Sequence, residues 1–137
     1  MDSSLVLCLA GVLLFMLGLL NGFAIPRMQS PRLGLSAHLT GVQSGTFLIA
    51  AGLLWAKLQL TTTWSGVVAD VLWVSLYLLW LSLLLAGSFG AGRGLDIAGQ
   101  GMTTTRARQG VVTALMAIGS IGCVLALAAL LAIWPWR

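Results

Sequence analysis

Charge is what this sequence has least of. Only 7% of its 137 residues are Asp, Glu, Lys or Arg, against roughly 25% in an average soluble domain, so the chain cannot cover a water-facing surface. It has one histidine, two cysteines and three acids. The acids are Asp2, Asp70 and Asp96, far apart in sequence, and no serine is marked out as a nucleophile. A Ser/His/Asp triad and a paired-carboxylate hydrolase therefore lack their parts. Cys8 and Cys123 fall in the first and last apolar runs, where they read as small packing residues rather than a disulfide, and two lone cysteines make no zinc site. A single histidine also excludes a haem held between two histidines of one chain. The formal net charge of +4 comes from scattered arginines and Lys57, with no basic run; no nucleic-acid partner is implied.

What the chain does have is apolar length. Hydrophobic residues make up 59% of it, in four runs at about 5–23, 31–56, 67–86 and 111–133. A bilayer core takes about 20 apolar residues per helix. The expectation is an all-α integral membrane protein, a four-helix transmembrane bundle forming a single domain over 1–137. The first run lacks the basic start and the small-residue cleavage pattern of a signal peptide, and reads as a retained helix. Gly11 and Gly18, seven residues apart on one face of it, would let another helix come close. Asn21-Gly22 and Pro26 read as stop signals, and Ser30-Pro31 as an N-cap with proline at the first helical position. Lys57 to Gly66 reads as a polar turn between Trp55 and Trp64, two interfacial tryptophans. Trp134-Pro135-Trp136-Arg137 reads as a second aromatic belt. The loops holding Arg27, Arg32, Arg93, Arg106 and Arg108 share one side. The positive-inside rule places them in the cytoplasm and both termini outside, with a bacterial inner membrane as the expected location.

In the third run Asp70, Trp73, Tyr77, Trp80 and Leu84 recur at three- and four-residue intervals. They make one stripe, which serves either as a wall for a flat aromatic guest or as ordinary packing against a helix or lipid. From Gly87 to Gly110 the glycine-rich sequence reads as a long irregular connection, of a length that is often functional. Gly94 and Gly99 have the spacing of a phosphate loop, but Gln100-Gly101 stands where that chemistry needs lysine and a hydroxyl.

The one histidine, His38, lies two turns inside the second run, in Ser36-Ala37-His38-Leu39-Thr40-Gly41-Val42-Gln43-Ser44-Gly45. A polar group at membrane depth is costly and tends to have a function. The helix dipole and burial both favour a neutral imidazole there, which leaves a nitrogen for a metal. Gly41, Val42, Gly45, Ile49 and Gly52 fall within about 60° of His38 on the helix wheel, whereas Gln43 and Ser44 point elsewhere. Gly41 and Gly45 would leave space for a flat macrocycle. The same residues equally suit a helix interface in which His38 hydrogen-bonds across and the glycines serve packing.

Ala37-His38 followed by Gly41 and Gly45, with Arg93-Gly94-Leu95 after the third run, resembles the small four-helix membrane isomerases, the family of hydroxylaminobenzene mutase and styrene oxide isomerase. The likeness covers essentially the whole chain in length and span pattern. It implies that His38 is the axial ligand of a haem b whose ferric iron acts as a Lewis acid, in a homotrimer with the cofactor near subunit contacts. Six residues after the histidine, where styrene oxide isomerase carries an asparagine used at the substrate, this chain has Ser44. That enzyme's catalytic tyrosine has no matched counterpart, Tyr77 lying farther from the Arg-Gly-Leu motif. The departures favour conversion of an arylhydroxylamine to 2-aminophenol over epoxide isomerisation. The implied site is then His38 on the metal, Gly41 and Gly45 beside the macrocycle, Arg32 and Arg93 at its propionates, Ser44 and Tyr77 at the substrate, and Trp73 and Trp80 as pocket walls. The rivals are a small multidrug transporter, which should carry an acid in its first span where residues 5–23 have none, and a non-catalytic membrane subunit in which His38 serves assembly.

Overall fold

The computed structural model describes residues 2–58, 63–92 and 104–133, and all regular structure among them is helical. The helices are α1 (Ser3–Ala24), α2 (Pro31–Leu58), α3 (Thr63–Phe89) and α4 (Arg106–Ile133), with a 3₁₀ turn at Ile25–Arg27 between the first two. All four are long and apolar enough to cross a membrane. The protein is an integral membrane bundle of four helices.

Local chemistry sets the helix ends. Asp2 caps α1 by accepting the Ser4 N–H at 3.2 Å. The Ser30 hydroxyl accepts the Leu33 N–H at 3.5 Å, with Pro31 opening α2 where no intrahelical N–H is missed. At the end of α3, Gly90 takes a positive φ of 64°, and Ala91 N–H closes back on Ala86 O at 3.0 Å. This is the six-to-one bond of a Schellman stop. Two expected connections are shorter than the sequence suggested: α2 continues to Leu58 and α3 starts at Thr63, and α3 runs through Gly87 to Phe89 while α4 already starts at Arg106. Gly87 continues the helical turns of α3 before it, while Thr63 and Gly66 lie in the opening turns of α3 and Gly110 in those of α4. Residues 93–103 of the glycine-rich segment, which include Arg93 and Asp96, and the terminal 134–137 lie outside the described residues.

Helices α1, α2 and α3 pack on one another, and α4 packs on α3. The buried residues of α1 are Leu7, Gly11, Leu14, Gly18 and Asn21, an alternating four-three spacing that keeps one seam facing its partner. On α2, Ala37, Gly41, Ser44, Leu48, Ala51 and Trp55 repeat that spacing and are all buried. The main core gathers Leu7, Leu14, Leu48, Trp55, Leu72, Leu76 and Trp80 between these helices. A smaller cluster of Leu33, Ala86, Ala91 and Val112 closes the end near Pro31, where the Ser30 N–H also bonds Gly87 O at 3.0 Å.

Candidate functional site at His38

α1 and α2 approach so closely that their backbones touch. A Cβ on Gly11 would lie 2.7 Å from Gly45 O; one on Gly18, 2.7 Å from Val42 N; one on Gly45, 2.5 Å from Phe15 N. Only glycine permits that contact. The seam corrects one expectation: Gly41 and Gly45 do share the face of His38, but the space they open is filled by α1. A Cβ on Gly41 would sit 2.7 Å from Gly18 Cα and 2.9 Å from the Trp80 indole. Within the protomer that face seats a helix, not a macrocycle.

His38 stands at the edge of this seam, half-buried. Its Nδ1 lies 2.7 Å from Gly18 O on α1. A carbonyl only accepts, so Nδ1 carries a proton, and in the neutral ring the lone pair is then on Nε2. The short bond fixes both the tautomer and the ring orientation. Histidines that bind metals are commonly held this way, with one nitrogen donating to a backbone carbonyl and the other free to ligate. Among the described residues no group of three or more His, Cys, Asp or Glu side chains converges. A bare ion at His38 would find fewer than three such side chains among the described residues, whereas a porphyrin brings four nitrogens of its own and needs only an axial ligand. The donor set therefore fits haem better than a free metal ion.

The other named residues fall into three groups. Trp80 is buried against Gly41, one turn along α2 from His38, and its indole N–H has no partner among the described residues. Ser44 is buried on the α2 seam, about 120° around the helix from His38. Trp73 and Tyr77 lie elsewhere. Their rings meet edge to face with centroids 5.6 Å apart, the Tyr77 hydroxyl donates to Ala10 O at 2.8 Å, and the Trp73 indole donates to the exposed Asp70 carboxylate at 3.2 Å. With Val6, Leu9, Ala10 and Leu13 they line an apolar groove of about 290 Å³ between α1 and α3. Ala10 is eight residues from Gly18 on α1, about 12 Å along the axis, so this aromatic wall and the imidazole do not share one pocket within a protomer. Arg32 is exposed in the first turn of α2, about 9 Å along the helix from His38. Arg93 lies outside the described residues. Sequence reasoning missed Gly22, which receives the imidazole ring, and Asn21, buried beside it; their adjacency to a helix end disguised them as a stop signal.

The fold, the single buried-edge histidine and the short cross-helix bond define a small membrane protein built around one imidazole. Residues 3–134 match the styrene oxide isomerase family, and the chain belongs to it. It is 42% identical over 128 residues to the hydroxylaminobenzene mutase HabB of Ectopseudomonas oleovorans, covering 93% of this chain and 77% of that protein. It is 39% identical over 108 residues to hydroxylaminobenzene mutase HabA of the same organism, covering 78% of this chain and 80% of the relative. No solved structure matches it. The protein is accordingly a membrane isomerase.

Proposed function

We propose that this isomerase converts an arylhydroxylamine, with hydroxylaminobenzene as the reference substrate, into the corresponding 2-aminophenol, using a haem b held by His38. The observation that carries the proposal is the 2.7 Å bond from His38 Nδ1 to Gly18 O, which makes Nε2 the nitrogen of the neutral ring that can ligate a metal. The substrate class follows from the likeness to the two mutases. The reaction is an isomerisation. The N–O bond breaks, a C–O bond forms at the ortho carbon, and the proton displaced from that carbon is returned to nitrogen, so no electrons or atoms are exchanged with a co-reactant.

Bound ferric haem would supply a Lewis acid for the N–OH oxygen. The chain's own contribution is to hold the axial nitrogen, to keep water away from an electron-poor aromatic ring that it would otherwise capture, and to orient the substrate. Ser44 and the Trp80 indole N–H, which has no partner among the described residues, are candidate hydrogen-bonding groups on the seam, and Arg32 and Arg93 the candidate propionate partners. Tyr77 and Trp73 serve the aromatic ring if a neighbouring copy brings their groove to a shared site. His38 is half-exposed in the single chain, so a homotrimer with the cofactor near the subunit contact would enclose it. The arginine-bearing ends then face the cytoplasm.

The decisive measurement is the absorption spectrum of detergent-purified protein expressed with added haem precursor. A Soret band is expected in the wild type and lost in His38→Ala; a wild type without it ends the cofactor reading. For the reaction, turnover of hydroxylaminobenzene in ¹⁸O-water should give unlabelled 2-aminophenol. Solvent oxygen in the product overturns intramolecular transfer. Styrene oxide offered in parallel should turn over far more slowly.

A further inference from the structure

The stretch of α1 that faces His38 is shaped to its ring. A Cβ on Gly22 would lie 3.1 Å from His38 Nδ1 and 3.3 Å from Cε1, so the imidazole rests on the bare backbone. A side chain at this position displaces the ring by a few tenths of an ångström from the seat in which Nδ1 meets Gly18 O. The neighbouring Asn21 is 5% exposed, and its Nδ2 donates to Gly34 O on α2 at 3.2 Å. Gly34 is the residue whose carbonyl pairs, within the helix, with the main-chain N–H of His38. Two cross-links of opposite direction therefore bracket the histidine: Asn21 reaches from α1 into the turn of α2 that carries His38, and His38 reaches back to α1.

Stability alone does not account for an asparagine here. Its Oδ1 is buried without a partner among the described residues, a costly state for an acceptor. An apolar side chain would leave no buried acceptor unpaired. What the amide adds is a directional tie.

We propose that Asn21 and Gly22 are positioning residues of His38, which hold its imidazole as the Nδ1–H tautomer with Nε2 pointing to a fixed place before any ligand is bound. The first half of this statement concerns the protein alone. The second, that the fixed nitrogen receives haem, rests on the reading given under Proposed function.

The sole histidine makes the test direct, because the ¹⁵N spectrum of the labelled, haem-free protein in detergent contains one imidazole. The wild type should show a single Nδ1–H tautomer with slowly exchanging proton. Gly22→Ala favours helix formation at this position, so α1 is retained while the ring loses its seat. The spectrum should become a tautomer mixture, and the haem concentration needed for half-occupancy should rise tenfold or more. Asn21→Leu should do the same with an unchanged or raised melting temperature, and it decides the matter if Gly22→Ala does not fold. Gly110→Ala, on α4 with nothing within 4 Å of the added carbon, should leave the spectrum and the haem titration as in wild type. A mixed or Nε2–H tautomer in the wild type overturns the proposal, as do variants whose imidazole spectrum matches wild type. Should the wild type bind no haem yet show the fixed tautomer that both variants lose, the positioning role stands and the cofactor reading fails.

Discussion

Two helix pairs in this bundle use small residues to come together, and they use them differently. In the α1/α2 pair, glycines of both helices meet backbone on backbone: Gly11 on Gly45, Gly18 on Gly41 and Val42, Gly45 on Phe15. In the α3/α4 pair only α4 supplies glycines: a Cβ on Gly119 would lie 2.9 Å from Ser75 O and 3.0 Å from Leu79 N, whereas Gly122 meets the side chain of Ser75. Polar side chains cross the first seam at His38 and Asn21. By contrast α4 buries little beyond Gln109, Val112, Gly119 and Ala126 and presents Ile118, Ile121, Val124 and Leu125 outward. In a membrane the hydrophobic effect does not distinguish helix from lipid, so shape and hydrogen bonds decide association. The imidazole is mounted on the first pair, the one in which both helices contribute glycines. α4 is the lipid-facing or neighbour-facing wall.

The contrast breaks most sharply at Gly45. A methyl there meets Phe15 N at 2.5 Å and Phe15 Cα at 2.7 Å, backbone atoms that cannot rotate away, so α1 and α2 must separate. Overpacking of this kind costs about 1–3 kcal/mol. Gly45→Ala should lower the denaturation midpoint accordingly and remove isomerase activity, because the His38 bond spans the same seam. A midpoint equal to wild type would show that the two helices slide easily and that the seam is not rigid. Tyr77→Phe should cost less, about 1 kcal/mol for one hydrogen bond, since Ala10 O keeps its helical partner. Its activity separates two readings of the aromatic wall. If kcat falls much further than stability does, Tyr77 reaches the substrate in the assembled protein; if activity tracks stability, the hydroxyl only ties α3 to α1.

Residues on a single helix were legible in the sequence, and relations between helices were not. The four spans, the Ser30-Pro31 start and the Gly11/Gly18 face all depend on local pattern, and the helices carry them. His38 and its glycine face could likewise be read from a 100° wheel. What occupies that face could not, because a stripe of small residues admits a helix as readily as a flat ring. Here α1 occupies it. The aromatic stripe of α3 divides for the same reason: Trp73 and Tyr77 face α1, while Trp80 turns into the core beside Gly41. Asn21-Gly22 looked like punctuation because their meaning depends on the axial register of α1 against α2, which no window of one chain segment contains.

The smallest effect belongs to Gly122 in the second seam, where the neighbour is a side chain rather than the backbone that Gly119 meets. A methyl on Gly122 collides with the Ser75 hydroxyl and lies 3.4 Å from Ser75 Cβ. The colliding atom is the end of a rotatable side chain, so turning χ1 relieves most of the clash. The gain from replacing a helical glycine with alanine, up to about 1 kcal/mol, opposes what remains. Gly122→Ala should therefore shift the denaturation midpoint by under about 1 kcal/mol in either direction and leave the imidazole tautomer as in wild type. Ser75→Ala removes the obstructing oxygen, and the two changes together should be more stable than the sum of their separate effects, by about 0.5 kcal/mol or more. Additive behaviour would mean that α3 and α4 part to admit the methyl, as α1 and α2 must do at Gly45. The distinction between the backbone contact at Gly45 and the side-chain contact at Gly122 would then be lost.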